Sequence, residues 1–139
     1  MTAPMAMLLV QGALYERMKD SPDLMGLVTG VYDQVPETAA YPYVVLGEST
    51  ETPDNRLSGL GRQTTHTLHI WSRYEGYAQA LQILAVVVAL FDHQPLTVPG
   101  LHHVGTYYEF SQTLTDPEPP GSLRHVPVRF RVRTEQPSG

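Results

Sequence analysis

The sequence predicts an α+β domain in which two main helices pack on a four- to five-stranded mixed or antiparallel sheet. An apolar segment, residues 74–91, has helical spacing: Tyr77, Leu81, Leu84, Val88 and Phe91 would lie along one face of the helix, which we expect to pack on the sheet. Other segments, above all residues 124–134, alternate apolar and polar residues as strands do. Twelve prolines and eleven glycines divide the chain into short pieces. The predicted order of elements is α-β-β-β-α-β-β.

Length and composition limit the classes of protein to consider. A chain of 139 residues suggests one domain, residues 1–139, and we expect residues 134–139 to form a flexible tail. The net charge of −5 argues against tight nucleic-acid binding, which needs Lys and Arg to neutralise phosphates. Cysteine is absent, so disulfides and thiolate sites are excluded. The first residues lack the basic start of a signal peptide, and no segment is long and apolar enough to span a membrane.

The first half of the chain predicts one helix and three extended segments. Residues 5–19 have helical spacing, which Pro22 interrupts because a proline disfavours helical geometry in the residue before it. Ser21 and Pro22 suit the start of a short second helical turn. A short extended piece follows at residues 31–33, and residues 41–50 form the clearest strand, since they are rich in aromatic and β-branched residues.

A polar loop and a strand come next. Residues 52–61 are rich in turn formers and predict a long hairpin loop. In the strand at residues 63–73, His66, Leu68 and Ile70 point towards the core, and Thr67, His69 and Trp71 point to the other face. Because Trp71 is large and apolar, we expect that face to be covered too, by the first helix or by another subunit.

The second half predicts the main helix and two further strands. The valine run in residues 74–91 lowers helix propensity, so packing on the sheet must hold this helix. Residues 101–114 read as one long alternating strand, and residues 116–121 as a rigid loop. In the last strand, Pro127 lacks a backbone N–H to donate to a neighbouring strand, which favours an edge position. If the helix joins parallel strands, the loops at 52–61 and 116–121 lie at opposite ends of the sheet.

Catalytic and metal-binding patterns are weak throughout. His66 and His69 point to opposite faces of their strand, as do His102 and His103, and no histidine pair has the spacing of a metal site. Nucleophile and phosphate-loop motifs are absent. We therefore expect no catalytic residue, no metal and no cofactor, and a protein that is not an enzyme.

Three arginines on the last strand are the most unusual charged feature. Arg129, Arg131 and Arg133 share one face at intervals of about 7 Å. They fit a docking stripe for an acidic partner, and they fit equally an edge strand that charge protects from aggregation.

The order and spacing of these segments resemble the tail completion, or tail terminator, proteins of long-tailed bacteriophages and gene transfer agents. The resemblance rests on ALYERMKDSPDLMGLVTG, VYDQVP, YPYVVLGEST, THTLHIWSR, the helix YEGYAQALQILAVVVALF and RHVPVRFRVRTE. It covers residues 8–134, nearly the whole chain.

The resemblance implies a structural virion protein that forms a hexameric ring, ends the tail tube and joins it to the head connector. Its partners would be further copies of itself, the tail tube protein and a connector or stopper protein, with no membrane involved. DNA would pass through the lumen without specific binding, because six copies of this chain carry about −30 charges, which repel phosphates. It implies no catalytic residues.

Two alternatives stay open at this stage. One is another head–tail joining protein, a stopper or an adaptor. The other is a small ligand-binding domain with a pocket lined by His69, Trp71 and Tyr107. For the ring, the expected subunit or partner contacts are Arg129, Arg131, Arg133, Glu48, Glu51, Asp54, Arg56, Leu57, Leu60, Trp71, Ala85, Asp116 and Glu118.

Overall fold

A computed structural model describes residues 3–57, 59–74, 76–116 and 123–137. The described chain forms three helices and six strands, and it confirms the predicted α+β class. In chain order these are α1 (Met7–Lys19), α2 (Pro22–Met25), β1 (Val31–Tyr32), β2 (Tyr43–Pro53), β3 (Gly61–Ser72), α3 (Ala78–Phe91), β4 (His102–Ser111), β5 (Leu114–Thr115) and β6 (Arg124–Glu135).

The six strands form one mixed sheet in the order β1-β2-β3-β6-β4, with β5 also pairing with β6. Only β1 and β2 pair in parallel; the other pairs are antiparallel. The last strand therefore lies inside the sheet, and the predicted edge position is wrong. Pro127 lies opposite the break between β4 and β5, and its carbonyl accepts from the N–H of Gln112 in that break at 3.2 Å. Its nitrogen faces the same break, so no strand there needs a donor from residue 127, and the proline is tolerated.

The hydrophobic core lies between one face of the sheet and the helices. Leu68, Ile70 and His66 point into it from β3, as predicted, and they meet the buried residues of β6, which are Val126, Val128, Phe130 and Val132. The rings of Phe91 and Phe130 meet edge to face with centroids 5.4 Å apart. Such a layered core is the usual solution for a sheet with one apolar face.

The buried face of α3 is rotated relative to the predicted one: Phe91 is buried as predicted, and Leu84 and Val88 pack partly buried against the core. The buried residues of α3 are Ala80, Ile83, Val87 and Phe91. Leu81, which we expected in the core, is 41% exposed. No residue of α3 is charged, so its sequence does not show which side faces solvent. Packing against β3 and β6 determines which side of the helix is buried.

The β2–β3 turn lies at one end of the sheet, and Asp116 lies at the other end; the rest of the loop predicted at 116–121 lies outside the described residues. Gly61 pairs with Glu135 at one end, next to the β2–β3 turn. Ser72 pairs with Arg124 at the other end, next to the segment that precedes β6. Strands β3 and β4 run in the same direction because both are antiparallel to β6, but β6 separates them.

Several boundaries differ from the predicted ones. The predicted strand 101–114 divides into β4 and β5, and two register shifts in β4 break its simple alternation, so His103 bonds to Thr106. Strand β6 extends through Glu135, so the first two residues of the expected tail, Thr134 and Glu135, belong to the sheet. Within the described residues, no helix is long and apolar enough to cross a membrane.

Candidate interaction surfaces

The sheet face opposite the helices carries most of the polar residues singled out in the sequence. We call this surface the open face. Thr65, Thr67, His69 and Trp71 reach it from β3, and Arg129, Arg131 and Arg133 reach it from β6. Trp71 is half-buried by a stacked His125 ring, with centroids 3.9 Å apart and planes at 5°. Cover from another subunit stays a prediction.

Two of the three arginines have carboxylate partners within their own chain. The Nε of Arg133 lies 2.8 Å from Oδ2 of Asp54, and its Nη2 lies 3.3 Å from Oδ1, which is a two-point contact. The Nε of Arg129 lies 3.2 Å from Oε1 of Glu109. Asp54 is thus engaged inside its own chain, whereas we expected its segment to meet arginines of a neighbouring subunit.

Arg131, between these two, has a different environment. Its guanidinium lies over the ring of Tyr107, 5.2 Å from the centroid. Its buried Nε has no hydrogen-bond partner in the described part of the chain. Arg131 therefore remains a candidate contact for a carboxylate from outside the chain.

Glu48, also expected at an interface, takes part in a chain of side chains on the open face. A register shift in β2 between Leu46 and Ser49 brings it beside His69. Its Oε1 lies 2.6 Å from Nε2 of His69, whose Nδ1 lies 2.6 Å from Nε2 of His125. The hydrogen bond from His69 lowers the pKa of Glu48, and burial lowers the pKa of His125.

Glu51 has a structural role. Its side chain is only 2% exposed, and both of its oxygens accept hydrogen bonds from backbone N–H groups at the start of α1. The Nε of Arg62 lies 3.6 Å from it as well. A side chain so enclosed is not available to a partner protein.

The turn between β2 and β3 projects beyond the sheet. We call residues 54–60, apart from the undescribed Ser58, the hairpin tip. Leu57 at the tip is fully exposed, at 111% of its reference area, and Leu60 is half-buried. Arg56 makes loose ion pairs of 3.8 Å with Asp54 and Glu135. The tip thus presents an apolar and a cationic side chain together, as a docking element would.

Helix α3 presents an exposed and uncharged face on the other side of the molecule. Ala85 lies at its centre, with Ala78, Leu81, Gln82 and Ala89 around it. Of the remaining predicted contacts, Asp116 is half-buried after β5, and Glu118 lies outside the described residues.

A groove of about 970 Å³ runs along α1. We call it the α1 groove. Its apolar lining includes Leu8, Leu9, Gly12, Leu46 and Leu96, and its acidic residues are Glu16, Asp20 and Asp33. Arg17 also lines the groove, and its guanidinium donates to the carbonyl oxygens of Leu90 and Pro95. This site was not predicted from the sequence, although a glycine inside a predicted helix was a signal for it.

The pocket expected from His69, Trp71 and Tyr107 does not form. His69 and Trp71 lie on β3 and Tyr107 lies on β4, with β6 between them. Tyr107 lines a separate depression of about 340 Å³ with His93 and His103. In the described ranges, no group of three His, Cys, Asp or Glu side chains is arranged to hold a metal ion.

Comparisons with known proteins agree with the fold. The model of the family described as "Tail completion protein gp17" matches residues 12–135. The tail completion protein gp17 of Bacillus phage SPP1 is 29% identical over 134 residues, which cover 95% of this chain and 98% of that protein.

Solved structures give the same result. A chain in the virion of a native gene transfer agent particle superposes with a TM-score of 0.82 at 25% identity, covering 91% of this chain and 94% of its own length. The structure of the SPP1 gp17 protein superposes with a TM-score of 0.65 at 26% identity, covering 95% and 93%. The chain therefore belongs to the tail completion protein family, whose members are structural proteins of the virion tail.

Proposed function

We propose that this protein forms a ring that ends the tail tube and joins it to the head connector. The observation that carries the proposal is that the β2–β3 turn and the bonded pair Asp116 and Leu123 lie at opposite ends of the sheet. Strand β3 between them has 12 residues, so the ends are separated by roughly 40 Å at a rise of about 3.3 Å per residue. A subunit held between tube and connector needs two such distant contact ends.

Subunit surfaces for a ring are present as well. Neighbours in a ring meet head to tail, so two different surfaces of one chain must fit each other. The chain offers the open face, the exposed side of α3, the hairpin tip and the α1 groove, and these differ in charge and shape. An exposed helix face without any charged residue, such as that around Ala85, is typical of a surface that another protein covers.

The relatives support the location. One similar chain is part of a gene transfer agent virion, and the SPP1 relative is named as a tail completion protein. This chain covers each of them almost from end to end, so the whole domain corresponds. We infer that DNA passes through the ring lumen without being held, since the chain is acidic overall.

Electron microscopy of particles made without this gene tests the proposal. We expect tails of abnormal length or tails without heads, and normal particles when the gene is supplied in trans. Tails of normal length, beside heads that fail only to retain their DNA, would indicate a stopper or an adaptor. Normal, infectious particles would exclude any role in tail completion.

A second test is biochemical. The purified chain is mixed with its tail tube protein and examined by native mass spectrometry, because ring formation can depend on the tube as a template. We expect a defined oligomer of this chain bound to tube ends. A chain that stays monomeric at high concentration, both alone and with tubes, would contradict the ring.

A further inference from the structure

The α1 groove has the features of a protein-docking site. Its floor is apolar, and Leu8 on the rim is 79% exposed. Glu16 and Asp20 lie one helical turn apart beside it, and neither makes an ion pair with a described residue. An apolar floor with an acidic rim fits an apolar side chain that is accompanied by a cation.

Gly12 lies in the middle of α1 and lines this groove. A methyl group at its Cα would meet nothing within 4 Å, so no contact within the chain requires glycine there. Glycine inside a helix lowers the stability of the helix. Its presence is accounted for if another backbone or side chain approaches α1 closely at this point.

We propose that the α1 groove receives the hairpin tip of a second copy of this chain, with Leu57 over Gly12 and Arg56 beside Glu16 and Asp20. Leu57 is the most exposed of the large apolar residues that the structure describes. Arg56 is held only by its 3.8 Å ion pairs, so it can exchange them for the rim carboxylates. The tip thus offers the apolar and cationic pair that the groove fits.

The contact must join two copies. The start of α1 is bonded to Glu51, and Met7 contacts Ser49 at 3.3 Å, whereas Leu46 lines the groove further along the helix. Helix α1 therefore runs antiparallel to β2, and the tip lies beyond its N-terminus, pointing away from the groove. A tip-to-groove contact joins two different surfaces, which generates a ring when the rotation closes. This inference rests on the proposed ring function.

Disulfide cross-linking tests it directly. Because the chain has no cysteine, a Leu57→Cys, Gly12→Cys double variant reports only on the introduced pair. Such a disulfide needs Cα atoms within about 7 Å of each other. After mild oxidation of the chain assembled on its tube protein, we expect a ladder of covalent oligomers that ends in one closed species. The matched control, Leu57→Cys with Thr38→Cys in an exposed loop that no proposed contact includes, should cross-link at least about tenfold less.

The possible results distinguish the tip-to-groove contact from the proposed ring function. Rings in the micrographs without the 12–57 cross-link, or with equal cross-linking in the control, overturn this contact and leave the ring function standing. Absence of any oligomer of the unsubstituted chain contradicts both. A covalent dimer without larger species overturns the head-to-tail arrangement. If the thiol introduced by Gly12→Cys is protected from maleimide only after tube protein is added, with no cross-link, the groove belongs to the tube protein.

A second set of variants avoids cysteines. Gly12→Gln introduces a good helix former that fills the groove, so we expect an unchanged or higher Tm and about tenfold weaker assembly. Arg56→Glu should weaken assembly, and adding Glu16→Arg to the same chain should restore it. Assembly that is insensitive to all three changes would overturn the proposal.

Discussion

Glu51 on β2 accepts a hydrogen bond from the backbone N–H of Met7, with 3.0 Å between Oε1 and N. Its other oxygen accepts from Ala6, also at 3.0 Å. The helix has no side-chain cap of its own, since an alanine occupies the N-cap position. A strand residue 44 positions away therefore satisfies the first donors of α1, and the negative charge is favourable at that end of the helix.

Glu51→Gln should lower the free energy of unfolding by about 1 kcal/mol, because the amide keeps one acceptor oxygen but loses the charge. Urea unfolding followed by circular dichroism measures this. Glu37→Gln on the exposed surface is the control and should change stability by less than about 0.5 kcal/mol. Equal stability of the two variants would show that the cap contributes nothing.

His66 should make the fold sensitive to mild acid. Burial lowers its pKa to about 4, whereas the unfolded chain binds a proton near 6.5. Between these values the unfolded state holds more protons, so stability is full above pH 6.5 and falls as the pH drops towards 4. The loss attributable to His66 is at most about 3 kcal/mol.

Denaturation of a His66→Leu variant between pH 7.5 and 5 provides the measurement. We expect its stability to change less with pH than that of the parent protein. Some slope should remain, since burial also lowers the pKa of His103 and His125. A parallel Thr38→Ala variant changes an exposed side chain that does not titrate and should keep the parental slope. Identical slopes in all three proteins would contradict the assignment.

Two glycines should respond to alanine in opposite ways. At Gly61 a Cβ would lie 2.5 Å from the carbonyl oxygen of Asp54 and 2.7 Å from that of Thr134, and neither backbone group can move freely. Gly61→Ala should destabilise the protein by about 1–3 kcal/mol. Gly12→Ala, which meets open space, should stabilise it by about 0.5–1 kcal/mol. Thermal unfolding of both variants checks the signs, and a stabilised Gly61→Ala protein would disprove the clash.

Ala85→Glu should block assembly and leave the monomer folded. Ala85 is exposed on the uncharged side of α3, so a carboxylate there costs the monomer little but opposes burial by a neighbour. Ala80→Glu is the matched control: Ala80 is fully buried, and its replacement should unfold the chain. Native mass spectrometry and Tm separate the two effects. Normal rings from Ala85→Glu would place the subunit contacts in the strands and loops.

Local sequence patterns were sufficient to locate most helices and strands, but not to determine which residues of each element are buried. Helix α3 was located correctly because its apolar spacing is clear, but its buried face is rotated, so that Phe91 is buried as predicted and Leu81 is not. Leu81 and Ile83 are equally apolar, and only the shape of the sheet beneath them decides which is buried. Strands β3 and β4 run in the same direction, as the sequence suggested, but β6 lies between them.

The wrong position predicted from Pro127 and the unforeseen helix cap at Glu51 have a common physical cause. Pro127 indicated an edge because the gap between β4 and β5 that accommodates it is formed by residues elsewhere in the sequence. Glu51 was interpreted as a surface carboxylate because nothing near it in sequence shows that a helix begins above it. Both depend on long-range contacts, which periodicity and propensity do not contain.

The position of β6 has a consequence for synthesis of the protein. Strand β6 follows the other strands in sequence but lies between β3 and β4 in the sheet. The part formed by β1, β2 and β3 is therefore not joined to β4 until residues 124–135 have left the ribosome. Folding then depends on contacts between residues far apart in the chain, which is a slow kind of topology. A nascent subunit therefore cannot complete its sheet before β6 has been synthesised.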